Sequence, residues 1–298
     1  MKRILVIGAE GMLGQMLLGV LGRDPDLRVS GTARRSASGL LHFDAELGLP
    51  GLRRLFAPGT DPYDLVINAA GVRADAVDEA GSRSVRGAVV ANALLPHDLA
   101  ALSEETAARV AHVSTDAVFG RQAGACDEDS ACAPCGVYGQ TKSLGEPRVR
   151  RMLTFRCSLV GPEPLHRRGI LEWLRGQPPS AQVTGFIDQL WSGITTLQFA
   201  TLCRALADPD RFDAVRAESP IHHLCPNQIV TKCDLVKLLA ATYRPDVRVR
   251  EAVSGSPVNR TLRTRFHSLL ALLGKERPLQ QALADMVVAE STLPGRLI

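Results

Sequence analysis

Long hydrophobic runs are missing from this chain of 298 residues. The apolar stretch from Ile4 to Ile7, which follows Lys2 and Arg3, stops at Gly8, so neither a secretory leader nor a membrane span is expected. Charge of one sign is also in short supply. The formal net charge is +4, and apart from bunches at Arg34 and Arg35 and from Arg148 to Arg151 the basic residues are scattered. Such a distribution gives no reason to expect nucleic acid as a partner. Cysteine is present in the wrong pattern for crosslinking, because seven residues at irregular spacing suit reduced thiols in the cytoplasm better than a disulfide framework. Internal repeats and low-complexity tracts are lacking as well. What remains, 45% hydrophobic and 22% charged residues, is an ordinary soluble composition with length for one large domain or two intimate ones.

The first third alternates short β-branched runs with helical patterns. Strands are expected at Lys2 to Gly8, Leu27 to Ala33, Gly39 to Asp44, Tyr63 to Ala70 and Arg109 to Thr115, and helices at Met12 to Leu21 and Arg83 to Leu102. This is the βαβ rhythm of a parallel sheet covered on both faces. Past Gly161 the rhythm loosens, with Pro162, Pro164, Pro178 and Pro179 marking loops. Helices follow near Ile170 to Arg175, Thr195 to Leu206, Thr231 to Tyr243 and the C-terminus, with a strand around Ile221 to Leu224. The expected fold class is α/β, a Rossmann-type doubly wound parallel sheet with a smaller C-terminal α/β substrate lobe. Residues 1–160 form the dinucleotide-binding domain, to which 194–226 return, and 161–298 form mainly the substrate lobe.

Directly after the first strand comes GAEGMLG, in which Gly8, Gly11 and Gly14 are spaced three and three. Joined to a strand before and a helix after, the glycines let the backbone turn tightly and approach a pyrophosphate, which then sits on the helix N-terminus at Met12 and Leu13. The second strand runs into Arg34 and Arg35 where an NAD site has an acidic residue, and two arginines suit a 2′-phosphate. NADPH is therefore the expected cofactor, with NADH as the alternative. Asp44 follows the third strand, where a carboxylate accepts from an adenine amino group. The fourth strand ends on the small residues Ala69, Ala70 and Gly71, as a strand tip abutting a cofactor does.

Tyr138 and Lys142 stand four residues apart in VYGQTKSLGE, so on a helix they share a face, and an ammonium beside the phenol lowers its pKa towards neutrality. The same spacing also arises on solvated helix faces. Cys132 and Cys135, with Cys126 nearby, lack the second pair or histidine cluster that a zinc site needs, and no metal is expected. His222 and His223 lie in an apolar strand and are read as buried or edge histidines rather than ligands.

Taken together, GAEGMLG, NAAG, Val77-Asp78-Glu79-Ala80, Ser114-Thr115-Asp116 with Val118-Phe119, and YGQTKSLGE resemble the extended short-chain dehydrogenase/reductases, and within them the dTDP-4-dehydrorhamnose reductase group. The likeness continues more thinly through FRCSLVG, Asp188-Gln189, IHHL and Pro257-Val258-Asn259-Arg260. The resemblance implies NADPH-dependent reduction of the 4-keto group of a nucleotide-activated 6-deoxysugar. Tyr138 is then the proton donor, Lys142 lowers its pKa and holds the nicotinamide ribose, Thr115 bonds the reacting oxygen, and Ser114 borders the cofactor. It also implies substrate contacts from Arg73, Asp116, Phe119, Trp191 and Arg260, a pocket-bordering Arg156, and an Asn92 that fixes geometry near the cofactor. A nucleotide sugar and, as a homodimer, a second copy of the chain are the partners it admits. The alternatives are an epimerase or dehydratase with cyclic cofactor use, and a non-catalytic NADP-binding regulatory subunit. The chain departs from the group at Gly71, Val72 and Arg73, at Leu190 to Thr195, and at Pro147, which is expected to end the catalytic helix early.

Overall fold

The computed structural model describes residues 1–35, 39–56, 61–274 and 278–292. Its centre is a sheet of β1 (Lys2–Ile7), β2 (Leu27–Ala33), β3 (Leu41–His42), β4 (Leu65–Asn68), β5 (Arg109–Thr115), β6 (Met152–Cys157) and, after four further strands outside it, β11 (Ile221–His223), all parallel and ordered β11-β6-β5-β4-β1-β2-β3. The strand pleat sorts the apolar run of β1: Ile4 and Val6 enter the core on one face, Leu5 and Ile7 that on the other. Leu65 and Ile67 follow the first pair and Val66 the second, so one alternation lays down both layers.

On the first face α1 (Met12–Leu21) packs against α7 (Thr196–Leu206), and on the other α2 (Gly48–Leu55) packs against α4 (Leu95–Thr106). The chain thus returns to the sheet after residue 194, through α7, then α8 (Pro209–Glu218), then β11. Before that return lie β7 (Leu159–Val160), α6 (Ile170–Arg175), β8 (Gln182–Phe186), β9 (Leu190–Trp191) and β10 (Ile194–Thr195). After it come β12 (Val230–Thr231), α9 (Lys232–Tyr243), β13 (Arg248–Ala252), α10 (Ser268–Ala271) and α11 (Leu279–Thr292). Here β8 pairs with β13 and β9 with β12, both against α9. Among the described residues no helix is long and apolar enough to cross a membrane.

Several elements differ from expectation. The strand expected over 39–44 shrinks to the two residues of β3 at the sheet edge, and α2 and α8 had no anticipated counterpart. The helix expected over 83–102 runs as α3 (Ser82–Ala88), a π turn at Val89–Leu94 and α4, reaching Thr106. Pro96 accounts for the π turn: it has no N–H to give to the Asn92 carbonyl four residues back, and Leu95 bonds instead to Val90, five back.

That turn fixes how closely α5 (Gly136–Leu144) approaches. The helix stops at Gly145, ahead of Pro147, and a Cβ on Gly145 stands 1.9 Å from the Asn92 carbonyl oxygen. Gly145→Ala therefore requires α5 and the π turn to separate, and we expect it to destabilise the protein by about 1–3 kcal/mol in urea unfolding; unchanged stability counts against this contact.

Candidate active site

The strand order reverses between β1 and β4, and their tips open a crevice there. A cleft of about 560 Å³ runs past Gly11, Met12, Leu13 and Ala69 to Arg73 to the end of β5, where Ser114, Thr115, Tyr138 and Lys142 line it. A second hollow of about 440 Å³ shares Gly11, Met12 and Ala69 to Arg73 and continues past Gly8 to Arg34, Arg83, His166 and Arg168, making one trough.

Each glycine has a different task. Gly8 has φ +82°, and a Cβ on it falls 2.8 Å from Ala70 Cα, so the turn after β1 closes on the tip of β4. Gly14 faces inward, where a Cβ stands 2.2 Å from the Gly8 carbonyl oxygen; it brings α1 close to the turn and is not a trough residue. Gly11 opens into the trough, where a Cβ meets only the Gly8 carbonyl oxygen at 3.5 Å. No side chain caps α1 and its first turn holds no acid, so this helix start can receive an anionic group. The cradle fits a dinucleotide pyrophosphate.

At the far end Arg34 is exposed and lines the trough, whereas Arg35 is exposed beside it without lining it. Asp44 does not face the trough. Its Oδ1 accepts from the Glu46 N–H at 3.0 Å and caps the short helical turn Ala45–Leu47, which replaces the expected adenine contact. His166 and Arg168, which the sequence did not suggest, border the hollow because their backbone N–H groups bond the buried Glu163 carboxylate at 3.1 and 2.9 Å.

At the near end three side chains converge. Thr115 and Tyr138 line the cleft together, and the Lys142 ammonium donates to the Val113 carbonyl at 2.6 Å. Burial pushes the Tyr138 pKa up to about 12, with the Thr115 bond and the Arg73 guanidinium opposing and Asp116 and Cys157 reinforcing. Burial brings Lys142 down to about 8 against the pull of Glu146 and Cys157. The lysine is turned to β5, and the Arg73 guanidinium, which opposes the rise of Tyr138, is itself forked onto Asp75 at 3.0 and 2.6 Å.

Asn92 is wholly buried and clamps the loop after β4: its Oδ1 accepts from the Val72 N–H at 2.8 Å and its Nδ2 donates to the Val72 carbonyl at 3.0 Å. Several expected substrate residues lie elsewhere. Trp191 is 3% exposed in the core, its indole N–H donating to Ser158 Oγ at 2.8 Å, so it cannot stack on a base. Phe119 is fully buried with Val118, Cys126 and Leu262. Arg156 is 2% exposed and engaged by Glu146. Asp116 and Arg260 do not line the cleft; Asp116 receives a hydrogen bond from Thr115 and faces Lys232 and Arg260. Lys232, at the start of α9, does line it. The sequence showed the helix start there but not that its first turn points at the crevice. Cys157 is another unforeseen lining residue, its thiol pushed far up by burial. Cys132 and Cys135 are free and exposed, and among the described residues no group of His, Cys, Asp or Glu is placed to hold a metal ion.

A family model for the RmlD substrate binding domain matches residues 1–277. Comparison with curated protein sequences gives no match. Among solved structures, a dTDP-4-dehydrorhamnose reductase from Clostridium acetobutylicum is 20% identical, with a TM-score of 0.76 over 97% of this chain and all of its own. One from Bacillus anthracis in complex with NADP is 18% identical, with a TM-score of 0.71 over 97% of this chain and 99% of its own. A UDP-glucuronic acid 4-epimerase from Bacillus cereus, in complex with a fluorinated sugar nucleotide and NAD, is 17% identical, with a TM-score of 0.68 over 96% of this chain and 99% of its own. At these identities the likeness establishes the fold.

Asn92→Ala leaves the Val72 N–H and carbonyl without partners. We expect a loss of about 1–3 kcal/mol in urea unfolding, accompanied by faster amide exchange at Val72; a protein that keeps both its stability and its exchange rate rules out the clamp.

Proposed function

Since the chain belongs to the RmlD substrate binding domain family, we propose that it is an NADPH-dependent reductase of a nucleotide-activated sugar, acting on the 4-keto group of a 6-deoxysugar. The observation that carries this reading is the meeting of Thr115, Tyr138 and Lys142 at one end of a trough whose other end holds Arg34 and whose middle passes the open face of Gly11. The names of the solved relatives, dTDP-4-dehydrorhamnose reductase and an NADP complex among them, support it.

NADPH, when bound, supplies the hydride. The chain's part is to place the ketone and to give its oxygen a proton. Tyr138 is suited to that because burial keeps its phenol protonated at neutral pH, the state a donor must start from in the reductive direction. Thr115 lines the cleft with Tyr138 and steadies the accepting oxygen. As the phenol releases its proton, the Arg73 guanidinium offsets the developing charge. Lys142, anchored on Val113, presents a cation to the cofactor's ribose. Arg34 meets the 2′-phosphate, and Gly11 with the start of α1 takes the pyrophosphate. Arg73 and Lys232 border the cleft as cations for the substrate's phosphates.

The decisive assay follows NADPH absorbance with a panel of nucleotide 4-keto-6-deoxysugars. We expect stoichiometric oxidation with at least one of them, and in Tyr138→Phe a fall of about 10²–10⁴-fold in kcat with NADPH binding retained. Binding of NADPH without consumption by any member points instead to cyclic cofactor use or to a regulatory subunit. Arg34→Ala is expected to weaken NADPH by roughly tenfold while leaving NADH nearly unchanged; equal losses for both cofactors remove Arg34 from the 2′-phosphate.

A further inference from the structure

Residues 161–169, between β7 and α6, lie outside the central sheet yet border both hollows of the trough. His166 and Arg168 line the far hollow with Arg34, while Gly161 and Gly169 line the near cleft with Tyr138. The two hollows share Gly11, Met12 and Ala69 to Arg73, and the segment touches that shared wall: a Cβ on Gly169 falls 3.7 Å from Arg73 Nη1. Arg168, one residue earlier, therefore stands at the middle of the trough, where the uncapped start of α1 also lies. Two buried acids hold the segment there. Glu163, 3% exposed, accepts through Oε2 from the His166 and Arg168 N–H groups, and its own N–H donates to Glu172 Oε1 of α6 at 3.0 Å. With its backbone fixed in this way Arg168 is exposed, and among the described residues its guanidinium has no hydrogen-bond or ion-pair partner.

We propose that Arg168 binds the pyrophosphate of the dinucleotide, which is then held by two separate elements, the Gly11 turn with the start of α1 and the segment 161–169. A guanidinium offers a planar fork to two phosphate oxygens and the helix start offers backbone N–H groups, so the two kinds of donor serve different oxygens of one anion. The charges around this part of the trough favour an anion, since Arg34, Arg73, Arg83 and Arg168 line the far hollow against Glu10 and Glu163. Glu163 commits its Oε2 to the segment's own N–H groups and Arg73 is paired with Asp75, which leaves Arg168 to meet the ligand. The segment continues directly into α6, whose Ile170 and Leu171 line the near cleft. A cofactor held by Arg168 thus fixes the start of the helix that borders the substrate.

That the ligand is a dinucleotide rests on the proposed reductase, but turnover of a sugar does not enter the test. Binding of NADPH and of NADH is followed by their fluorescence, with no sugar present, in the wild type, Arg168→Ala and Arg167→Ala. Arg167 is exposed and lines neither hollow, so its loss removes the same charge from the same segment. Arg168→Ala is expected to weaken both cofactors by a similar factor, roughly tenfold or more, and Arg167→Ala to leave both within about twofold. Unchanged affinity in Arg168→Ala overturns the proposal, and so does an equal loss in Arg167→Ala, which reduces the effect to net charge. A loss confined to NADPH overturns it as well, since that places Arg168 at the 2′-phosphate. As a second readout, saturating NADPH is expected to slow amide exchange across residues 166–170 in the wild type and not in Arg168→Ala; the same slowing in both counts against a segment held through Arg168. A wild type that binds NADPH but consumes it with no sugar sinks the reductase reading and leaves the Arg168 result standing, whereas one that binds neither cofactor removes both.

Discussion

Pro96 has no N–H to return to the carbonyl of Asn92, and the helix widens there into a π turn whose Asn92 carbonyl lies against Gly145. From this contact the rest of the site takes its spacing. The approach sets α5, with Tyr138 and Lys142, close to the end of β5, while the Asn92 side chain holds Val72 by both backbone groups and also reaches Thr141 of α5. One residue thus ties the loop after β4, the π turn and the helix bearing the phenol. Without a glycine at 145 the contact cannot form, and without the proline the helix has no reason to widen.

Burial makes charge costly at this site, which explains why its two ionisable neighbours move in opposite directions. The phenol goes up and the ammonium comes down, both because burial penalises the charged form. A simple pairing in which the lysine lowers the tyrosine would require their polar atoms to face each other, but the Val113 carbonyl has captured the ammonium. Arg73 supplies the compensating cation from the loop that Asn92 clamps, which links the position of that loop to the chemistry of the phenol.

The sheet, its glycine turn and the shared face of residues 138 and 142 were legible in the sequence because each depends on local pattern, whereas Thr115 joined them only through the family resemblance. Short β-branched runs gave β1, β2 and β5, and the glycine spacing gave the turn before α1. What escaped depends on direction and on pairs far apart in the chain. Asp44 was placed correctly after β3, yet its carboxylate closes a helical turn two residues on. Lys232 opens a helix that the pattern foretold, but only the packing of α9 against β8 and β13 turns that first residue to the crevice. Arg156 was read as a pocket residue, and its partner Glu146, ten positions away, shuts it inside.

Arg156 and Trp191 show how residues of a binding segment become its frame. Arg156 lies 5.1 Å over the Phe119 ring while forking to Glu146, so it joins the end of α5 to the loop after β5. A buried pair of this kind adds little stability over apolar side chains of the same volume; its use lies in fixing one geometry for two segments. Trp191 does the same on the substrate side. A Cβ on Gly193 falls 2.1 Å from the indole and 2.3 Å from the Ser158 carbonyl oxygen, so the departure at 190–195 closes tightly over the ring. The indole N–H then reaches the cleft only through the hydroxyl of Ser158, which lines it. The stretch that differs from the reductase pattern therefore orients one serine of the cleft, which Arg73, paired with Asp75, and Lys232 also line.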